Sequence, residues 1–503
     1  MKDLKQKTLR GGIARVCNLI AAALLRLLSV MTLARLLSPK DFGLVGMVTA
    51  FTGVLTLFRD FGLSSASVQR ETITEEQKSA LFWINLAVGA ALSLIAFAMA
   101  PLVADFYHEQ RLLAVTAVLA FAFLINSAGV QHSSLLQREM RFTTLSVVNT
   151  LSSSLGLVVG IWGALVGYGY WSLVIMAIAT SLISTAGVWV TSGWIPGLPR
   201  RRIGLRSILH FGSTVTANSI LIYVATNFEK VLLGRFWGAD AIGIYGRAYQ
   251  LSNIPTDNLN SSIGEVAFAA LSRLQGDPAR LKSYFLKGYF LVVSLTLPIT
   301  IVSALFAHDI ILTLLGQKWK EAIPVFRLLA PTILVFGIVN PLGWLLFSLG
   351  EVGRLLKMAL VITPILIGGY FLAIPHGPKG VAFVYSTLMV LWIFPGVAWG
   401  LKGMPVSARD FLTTASRPLI ACGIAGGLAF MTGFVWNRLP STLIRLLLDT
   451  VVFFGAYLGL LLYALGQKEQ YADLFRSLRK RSFEELEPTE AGTAERAEST
   501  VCN

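Results

Sequence analysis

A cationic stripe near the N-terminus is the first group of residues that could do chemistry. At about 100° per residue, the helical positions of Arg15, Asn18, Ala22, Arg26 and Ser29 fall on one narrow face. The apolar stretch 11–36 has its midpoint near residue 24, which puts Arg26 within about 3 Å of the centre of that stretch. If the stretch spans a membrane, this face carries a positive charge at mid-depth.

An arginine at the centre of a bilayer needs a partner, because its insertion costs about 2.5–3.5 kcal/mol. Arginine makes bidentate, permanently charged contacts to phosphate oxygens, so an anionic ligand would satisfy Arg26. A carboxylate such as Asp257 or Glu229 would satisfy it equally well and would fasten two parts of the chain together. The two interpretations are compatible if such a pair opens during function.

Polar residues in two later segments form a second candidate group. Thr214, Asn218 and Glu229 share a face of the stretch 209–235, while Asp257 and Asn258 lie near the middle of 241–270. These side chains could bind the hydroxyl groups of a polar ligand or a coupling cation, and structural hydrogen bonds are an equally good explanation. The predicted substrate-binding set is Arg15, Asn18, Arg26, Asn218, Glu229, Asp257 and Asn258.

The composition indicates which elements must position these residues. Of 503 residues, 55% are hydrophobic and only 14% are charged, against about 25% charged in soluble domains. The sequence therefore predicts an all-α, polytopic membrane protein. The formal net charge of +15 is explained by basic cytoplasmic loops, without nucleic acid as a partner. The three cysteines are far apart, and no metal, nucleotide or hydrolase motif occurs, so we expect no metal, no cofactor and no enzymatic activity.

Apolar runs separated by polar breaks predict fourteen membrane spans. Lys and Arg are concentrated in every second connection, which predicts that both termini are cytoplasmic. Arg445 and Asp449, at i, i+4 in the last span, are expected to form an ion pair. Tryptophans near the span ends, such as Trp319, are expected to lie at the membrane interface. The predicted spans are 11–36, 42–60, 80–104, 111–130, 144–166, 170–191, 209–235, 241–270, 285–307, 323–349, 357–374, 379–400, 411–436 and 441–466.

An internal repeat predicts how the spans are arranged. A shift of 200 positions aligns LARLLSPKDFGLVG (33–46) with LGRFWGADAIGIYG (233–246), pairing Arg35 with Arg235 and Gly43 with Gly243. Six spans separate the copies, so both halves cross the membrane in the same sense and their pseudo-twofold axis follows the membrane normal. By this symmetry the polar segment 241–270 is a span, which must face water and which Pro255 should kink.

The order and spacing of several motifs resemble those of a known family. They are LARLLSPKDFGLVG (33–46), DFGLSSASVQR (60–70), LLQREMRF (135–142), LLGQKWKEAIPVFRLLAP (314–331) and NPLGWLLFSLGEVGR (340–354). The chain resembles the polysaccharide-exporter branch, similar to colanic-acid exporters and O-antigen flippases, of the multidrug/oligosaccharidyl-lipid/polysaccharide flippase superfamily. The resemblance implies two six-helix lobes (1–200 and 201–405) and two extra transmembrane helices (406–466). The charge distribution and the acidic, apolar-poor composition predict that the remaining residues form a cytoplasmic, partly disordered tail (467–503).

The resemblance also implies a function. It predicts alternating-access export of a polyprenyl-pyrophosphate-linked oligosaccharide for exopolysaccharide, capsule or lipopolysaccharide assembly, with the diphosphate meeting the cationic stripe. The lipid bilayer and this substrate are the expected partners, and a polysaccharide polymerase with export machinery are further candidates. A cation-coupled multidrug exporter of the same superfamily is the alternative, and a membrane-embedded sugar polymerase is disfavoured by the short external connections.

Overall fold

The computed structural model describes residues 25–58, 74–198, 206–436 and 441–468. Within these ranges the chain folds into α-helices with a few short 3-10 and π turns and without β-strands. Each of the fourteen predicted spans has a helical counterpart in the described part of the chain. The predicted tail, 467–503, lies almost entirely outside the described residues.

The first lobe contains α1 to α6. The helix α1 is described over 25–36, and α3 begins at a capping box in which Thr74 and Gln77 bind each other's backbone N–H groups. The glycines Gly167 and Gly193 end α5 and α6 in the left-handed conformation. The other bounds are α2 Pro39–Phe58, α3 Glu75–Tyr107, α4 Arg111–Arg138, α5 Phe142–Val166 and α6 Trp171–Ser192.

The second lobe begins with a helical run, Arg206–Arg273, that is broken at Gly238 into α7 and α8. The C-terminal pair α15 and α16 packs on α9 and α10. The remaining bounds are α9 Pro278–Leu305, α10 Ala307–Leu314, α11 Ala322–Leu329, α12 Pro331–Ser348, α13 Val352–Ala373, α14 Gly377–Gly400, α15 Ala408–Trp436 and α16 Thr442–Gly459.

Ten segments of the described chain are long and apolar enough to cross a membrane. The run Arg206–Arg273 is not one of them, and within it α8 carries many polar residues, as the sequence predicted. Its only non-helical dihedral angles are at Gly238, with φ 77° and ψ −169°, and Pro255 lies within helical backbone. The turn between the predicted seventh and eighth spans is therefore a single residue, and glycine suits it because it adopts positive φ without a Cβ clash.

The two lobes meet mainly along α2 and α8, and the contact is reciprocal. A Cβ atom at Gly43 would lie 1.7 Å from the carbonyl oxygen of Ala239, and one at Gly243 would lie 1.9 Å from that of Pro39. A shift of 200 residues exchanges these two contacts, which is what a twofold axis passing between them requires. The repeat read from the sequence therefore corresponds to two copies of one helical corner that are packed against each other.

Further contacts close the same end of the bundle, which we call the corner end because it carries the α1 to α2 connection and the Gly238 break. Arg35 donates to the carbonyl oxygen of Thr313 at 2.6 Å, and Trp319 donates to that of Ala34 at 2.8 Å. Arg235 lies 5.8 Å from the ring centroid of Phe106. The two repeat-related arginines thus each reach into the opposite lobe, as expected of structural corner residues.

Two sequence-based expectations are wrong. Trp319 does not face the membrane but is fully buried between the lobes, 5.5 Å from the ring of Phe42, in the connection between α10 and α11. Arg445 pairs with Asp309 on α10 instead of Asp449, with Nε donating at 2.7 Å. The Oδ1 atom of Asp449 is buried without a hydrogen-bond partner among the described residues.

The Arg445 to Asp309 pair should contribute strongly to the docking of α16. Burial alone would raise the pKa of Asp309, but hydrogen bonds from Arg445 and the His308 ring outweigh it and hold the pKa below its usual value. We expect Arg445→Ala to destabilise the protein by up to about 3–5 kcal/mol, because it leaves a buried carboxylate with only the His308 ring as a partner. Thermal unfolding of the purified protein in detergent would measure this loss.

The expected pH dependence follows from the lowered pKa of Asp309. The stabilisation is fully present above the usual carboxyl pKa of about 4 and is lost as the pH falls through the lower folded value. The stability difference between the wild type and Arg445→Ala should therefore shrink on acidification. Arg445→Ala with Asp309→Asn should recover part of the loss. A double variant as unstable as the single one would contradict the pairing.

Candidate functional site

The structure describes part of the predicted substrate-binding set. Arg15 and Asn18 lie outside the described residues. Asn218 and Asn258 lie on helical backbone in α7 and α8, but their side chains are not among those described. The three remaining residues, Arg26, Glu229 and Asp257, can be placed, and they fall in two different environments.

Arg26 and Asp257 face each other across the gap between the lobes. The Nη2 atom of Arg26 lies 3.8 Å from the Oδ2 atom of Asp257, and the side chains are 47% and 54% exposed. The distance is within ion-pair range but too long for a hydrogen bond, so the donors of the guanidinium are left for other acceptors. Of the two carboxylates that the sequence offered to Arg26, the structure selects Asp257.

The level of the pair follows from the rise and direction of each helix. Arg26 is about 15 Å from the end of α1 at residue 36, and Asp257 is about 27 Å from the Gly238 break along α8. Side chains on a helix lean towards its N-terminus, so Arg26 leans away from the corner end and Asp257 leans towards it, and the two groups meet between these levels. This level is still within a hydrocarbon layer about 30 Å thick, so the exposed charges must contact water. The gap around the pair is therefore a wet, inter-lobe cleft.

Glu229 lies in a different place, inside the second lobe. Its side chain is only 2% exposed, and its Oε2 atom has no hydrogen-bond partner among the described residues. The aromatic residues around it are Tyr245, Tyr249 and Tyr370, all within electrostatic range of the carboxylate. Glu229 on α7 is therefore a buried carboxyl near phenol rings from α8 and α13 and near the charge of Lys230, and it does not line the inter-lobe cleft.

Sequence reasoning missed a further basic group between the lobes. The guanidinium of Arg247 lies 3.9 Å from the centroid of the Phe42 ring in the opposite lobe, and it also bonds to the side chain of Gln250. An arginine within a membrane span is an unusual residue, and that alone could have drawn attention to it. The cation–π contact holds Arg247 in the closed interface, so it supports the corner end rather than the cleft.

Another inter-lobe contact lies between the corner end and the cleft. The hydroxyl of Tyr223 on α7 donates to the carbonyl oxygen of Thr49 on α2 at 2.9 Å. A Cβ atom at Gly53 would lie 1.8 Å from the same hydroxyl, so only glycine allows this approach without a shift.

Among the described residues, no group of three His, Cys, Asp or Glu side chains is placed to hold a metal ion.

A comparison with protein-family models decides which family this chain belongs to. The model of a family described as polysaccharide biosynthesis protein matches residues 32–324, more than half of the chain. The chain belongs to this family. The match covers the inter-lobe contacts at Gly43 and Gly243 and includes Asp257, while Arg26 lies just before its first residue.

A curated relative and two solved structures extend this result. The lipopolysaccharide biosynthesis protein WzxC of Escherichia coli strain K12 is 27% identical over 378 residues, which cover 73% of this chain and 76% of that protein. The lipid II flippase MurJ in an inward closed conformation superposes with a TM-score of 0.71 at 13% identity, covering 93% of this chain and 99% of MurJ. An inward-facing multidrug resistance MATE transporter gives 0.60 at 17% identity, covering 78% and 97%.

These likenesses bear on the sequence-based predictions. The resemblance to the polysaccharide-exporter branch is confirmed by the family match and the curated relative. The all-α, two-lobed membrane fold is confirmed by the structural likeness to members of the flippase superfamily. The residues that bind a substrate are not addressed by any of these comparisons and remain predictions.

Proposed function

We propose that this chain is a flippase that moves a polyprenyl-pyrophosphate-linked oligosaccharide from the cytoplasmic to the outer face of the bacterial inner membrane. The polysaccharide biosynthesis family and the fold of a lipid II flippase support transport of a lipid-linked sugar. The observation that carries the proposal is the half-exposed Arg26 to Asp257 pair in the cleft between the lobes. The product would serve exopolysaccharide, capsule or lipopolysaccharide assembly.

The proposed binding step is an exchange of anions at Arg26. A diphosphate offers several oxygens in the geometry that a guanidinium binds bidentately, whereas Asp257 holds Arg26 only at 3.8 Å. The diphosphate would displace Asp257 and would be shielded from hydrocarbon in the cleft, while the prenyl chain stays in the bilayer. Asp257 would then re-form the pair after release and would reset the empty transporter.

The proposed transport step is a rocking of the two lobes about their common axis. The lobes are taken as 1–200 and 201–405, with 406–466 as an added helix pair and both termini in the cytoplasm. In this orientation the corner end faces outwards, so the described conformation is closed towards the outside. Separation of the corner copies would open the cleft outwards and release the substrate.

Deletion of the gene tests the function as a whole. If the protein is a flippase, complete lipid-linked repeat units should accumulate on the cytoplasmic side of the deletion strain, and the polysaccharide should disappear. Unchanged polysaccharide together with a new sensitivity to cationic dyes would instead identify the multidrug exporter. Accumulation of single, unpolymerised units at the outer face would point to a polymerase.

We further propose that Glu229 binds the coupling cation or proton, since it is a buried carboxyl whose Oε2 atom has no hydrogen-bond partner among the described residues. Glu229→Gln keeps the shape of the side chain and removes its charge. We expect export to fall about tenfold or more, at normal protein levels, with the residual export insensitive to ionophores that collapse ion gradients. Export in complemented deletion cells, with and without ionophore, measures both.

The exposed Glu321 provides a matched control, because Glu321→Gln removes the same charge outside the second lobe's interior. Its export should equal that of the wild type and should respond to the ionophore. If Glu229→Gln exports normally and keeps its response to the ionophore, then the carboxyl has only a structural role.

A further inference from the structure

A basic cleft lies at the opposite end of the bundle from the corner end, between the last turns of α8 and the first turns of α9. Its volume is about 450 Å³. Three cations line it, namely Arg273 from α8 with Arg280 and Lys287 from α9. Arg273 is about 24 Å from Asp257 along the axis of α8, so this cleft is separate from the Arg26 site.

The charge in this cleft is only partly neutralised. Arg280 pairs with Asp277 at 3.2 Å, whereas neither Arg273 nor Lys287 has a carboxylate within ion-pair distance among the described residues. By contrast, Lys282 on the same helix forms an ion pair with the carboxylate of Asp410, at 2.7 Å. Two of the three cations in the cleft therefore remain available to an anion.

The depth of the cleft matches the level of lipid head groups. From Leu305 at the outer end of α9 back to Lys287 is a rise of about 27 Å, close to the thickness of the hydrocarbon layer. Arg280 lies about 10 Å further along the helix axis. The cations thus extend from the edge of the acyl region into the head-group region on the cytoplasmic side.

The other walls of the cleft complement an amphipathic molecule. The side chains of Ser283 and Tyr284 bring hydroxyl groups, which can donate hydrogen bonds to phosphate oxygens. Ala270 and Leu274 form an apolar wall on the α8 side. Cations and hydroxyls beside an apolar wall are suited to a phosphate group that is joined to a hydrocarbon chain.

We propose that this cleft binds the phosphate group of an inner-leaflet lipid. Arg273 and Lys287 contact the phosphate oxygens, and Arg280 adds to the positive electrostatic potential at the phosphate. Ala270 and Leu274 contact the start of the hydrocarbon chain. The phosphate can come from an anionic glycerophospholipid or from a polyprenyl diphosphate. The first would make the cleft a site for membrane lipid, and the second would make it a docking site that precedes the Arg26 cleft.

Native mass spectrometry of the full-length protein in detergent tests the proposal. The probes are phosphatidylglycerol, zwitterionic phosphatidylcholine and undecaprenyl diphosphate, each titrated separately. The variant is Arg273→Gln with Arg280→Gln and Lys287→Gln, all of which replace exposed side chains. We expect it to bind at least one of the two anionic probes about tenfold more weakly than the wild type, with little change for phosphatidylcholine.

A control variant with the same change in charge distinguishes a specific phosphate-binding site from general electrostatic attraction to anionic lipids. Lys357→Gln with Lys402→Gln and Arg409→Gln also removes three exposed cations from the cytoplasmic side. This control should bind both anionic probes like the wild type. A loss confined to phosphatidylglycerol identifies a membrane lipid as the source, and a loss for undecaprenyl diphosphate identifies the substrate lipid.

Two results would overturn the proposal: equal losses in the two triple variants, or anionic lipid binding that the cleft variant leaves unchanged. The binding assay does not require transport, so a failure here would leave the proposed flippase activity standing. Conversely, lipid binding at the cleft would persist if the protein transported a different substrate.

Discussion

Arg26→Gln should abolish most of the export while leaving the protein at its normal level in the membrane. Charge-assisted hydrogen bonds contribute about 1.5–3 kcal/mol each, so the loss of bidentate contacts to a diphosphate corresponds to about 100-fold weaker binding. Polysaccharide export by a complemented deletion strain, normalised to the amount of protein on immunoblots, measures the effect. Arg26→Lys keeps the charge without the planar fork and should retain part of the activity.

Asp257→Asn is the informative comparison, because it breaks the same ion pair and leaves the arginine in place. If Arg26 binds the diphosphate, the loss of its resting partner should reduce export by less than about fivefold, since a half-exposed pair contributes little to stability. If the pair only fastens the lobes, the two variants should be equally damaged. Equal damage would therefore remove Arg26 from the substrate site.

Gly43→Ala with Gly243→Ala should trap the protein with its corner end open. The added methyl groups would lie 1.7 and 1.9 Å from carbonyl oxygens of the opposite lobe, and main-chain atoms cannot move aside independently. Overpacking costs about 1–3 kcal/mol per site, so the two changes together should shift the equilibrium from closed to open by about 30-fold or more. We expect export to fall at least about tenfold.

Labelling from outside provides a readout of the conformation itself. Ser29 lies one turn above Arg26 towards the corner end, so a Ser29→Cys variant without the native cysteines reports on access to the cleft. A membrane-impermeant maleimide should label it faster in the double alanine variant. Gly246→Ala is the matched control, because an added Cβ there meets no atom within 4 Å. Unchanged labelling and export in the double variant would show that this contact does not close the gate.

Much of the fold was predictable because its determinants are local or repeated. Apolar runs predicted most of the spans, since a lipid environment requires about 20 apolar residues for each crossing. The polar helix α8 was predicted only through the repeat, because its own hydropathy indicates a loop. In the structure, residues 200 positions apart make equivalent contacts at Gly43 and Gly243. The alignment alone could not show that the two helical corners pack against each other.

The candidate site was predictable in its residue types but not in its pairings. An arginine at the centre of a span requires a partner, and the sequence offered Asp257 and Glu229 without choosing between them. The choice depends on which way α7 faces, and the packing of the second lobe turns Glu229 inwards among tyrosines. Periodicity within a single helix gives the face that residues share and contains no information about the neighbouring helix.

The sequence by itself determined that the chain crosses the membrane many times, that its halves are repeats and that a charge lies at mid-depth, because transfer energies and helical periodicity act within each segment. Only the tertiary structure decided that Arg26 faces Asp257, that Arg445 binds Asp309 across 136 positions, and that Trp319 is buried between the lobes. These contacts join residues that are remote in sequence, so they depend on how the helices pack and not on the pattern of any one of them.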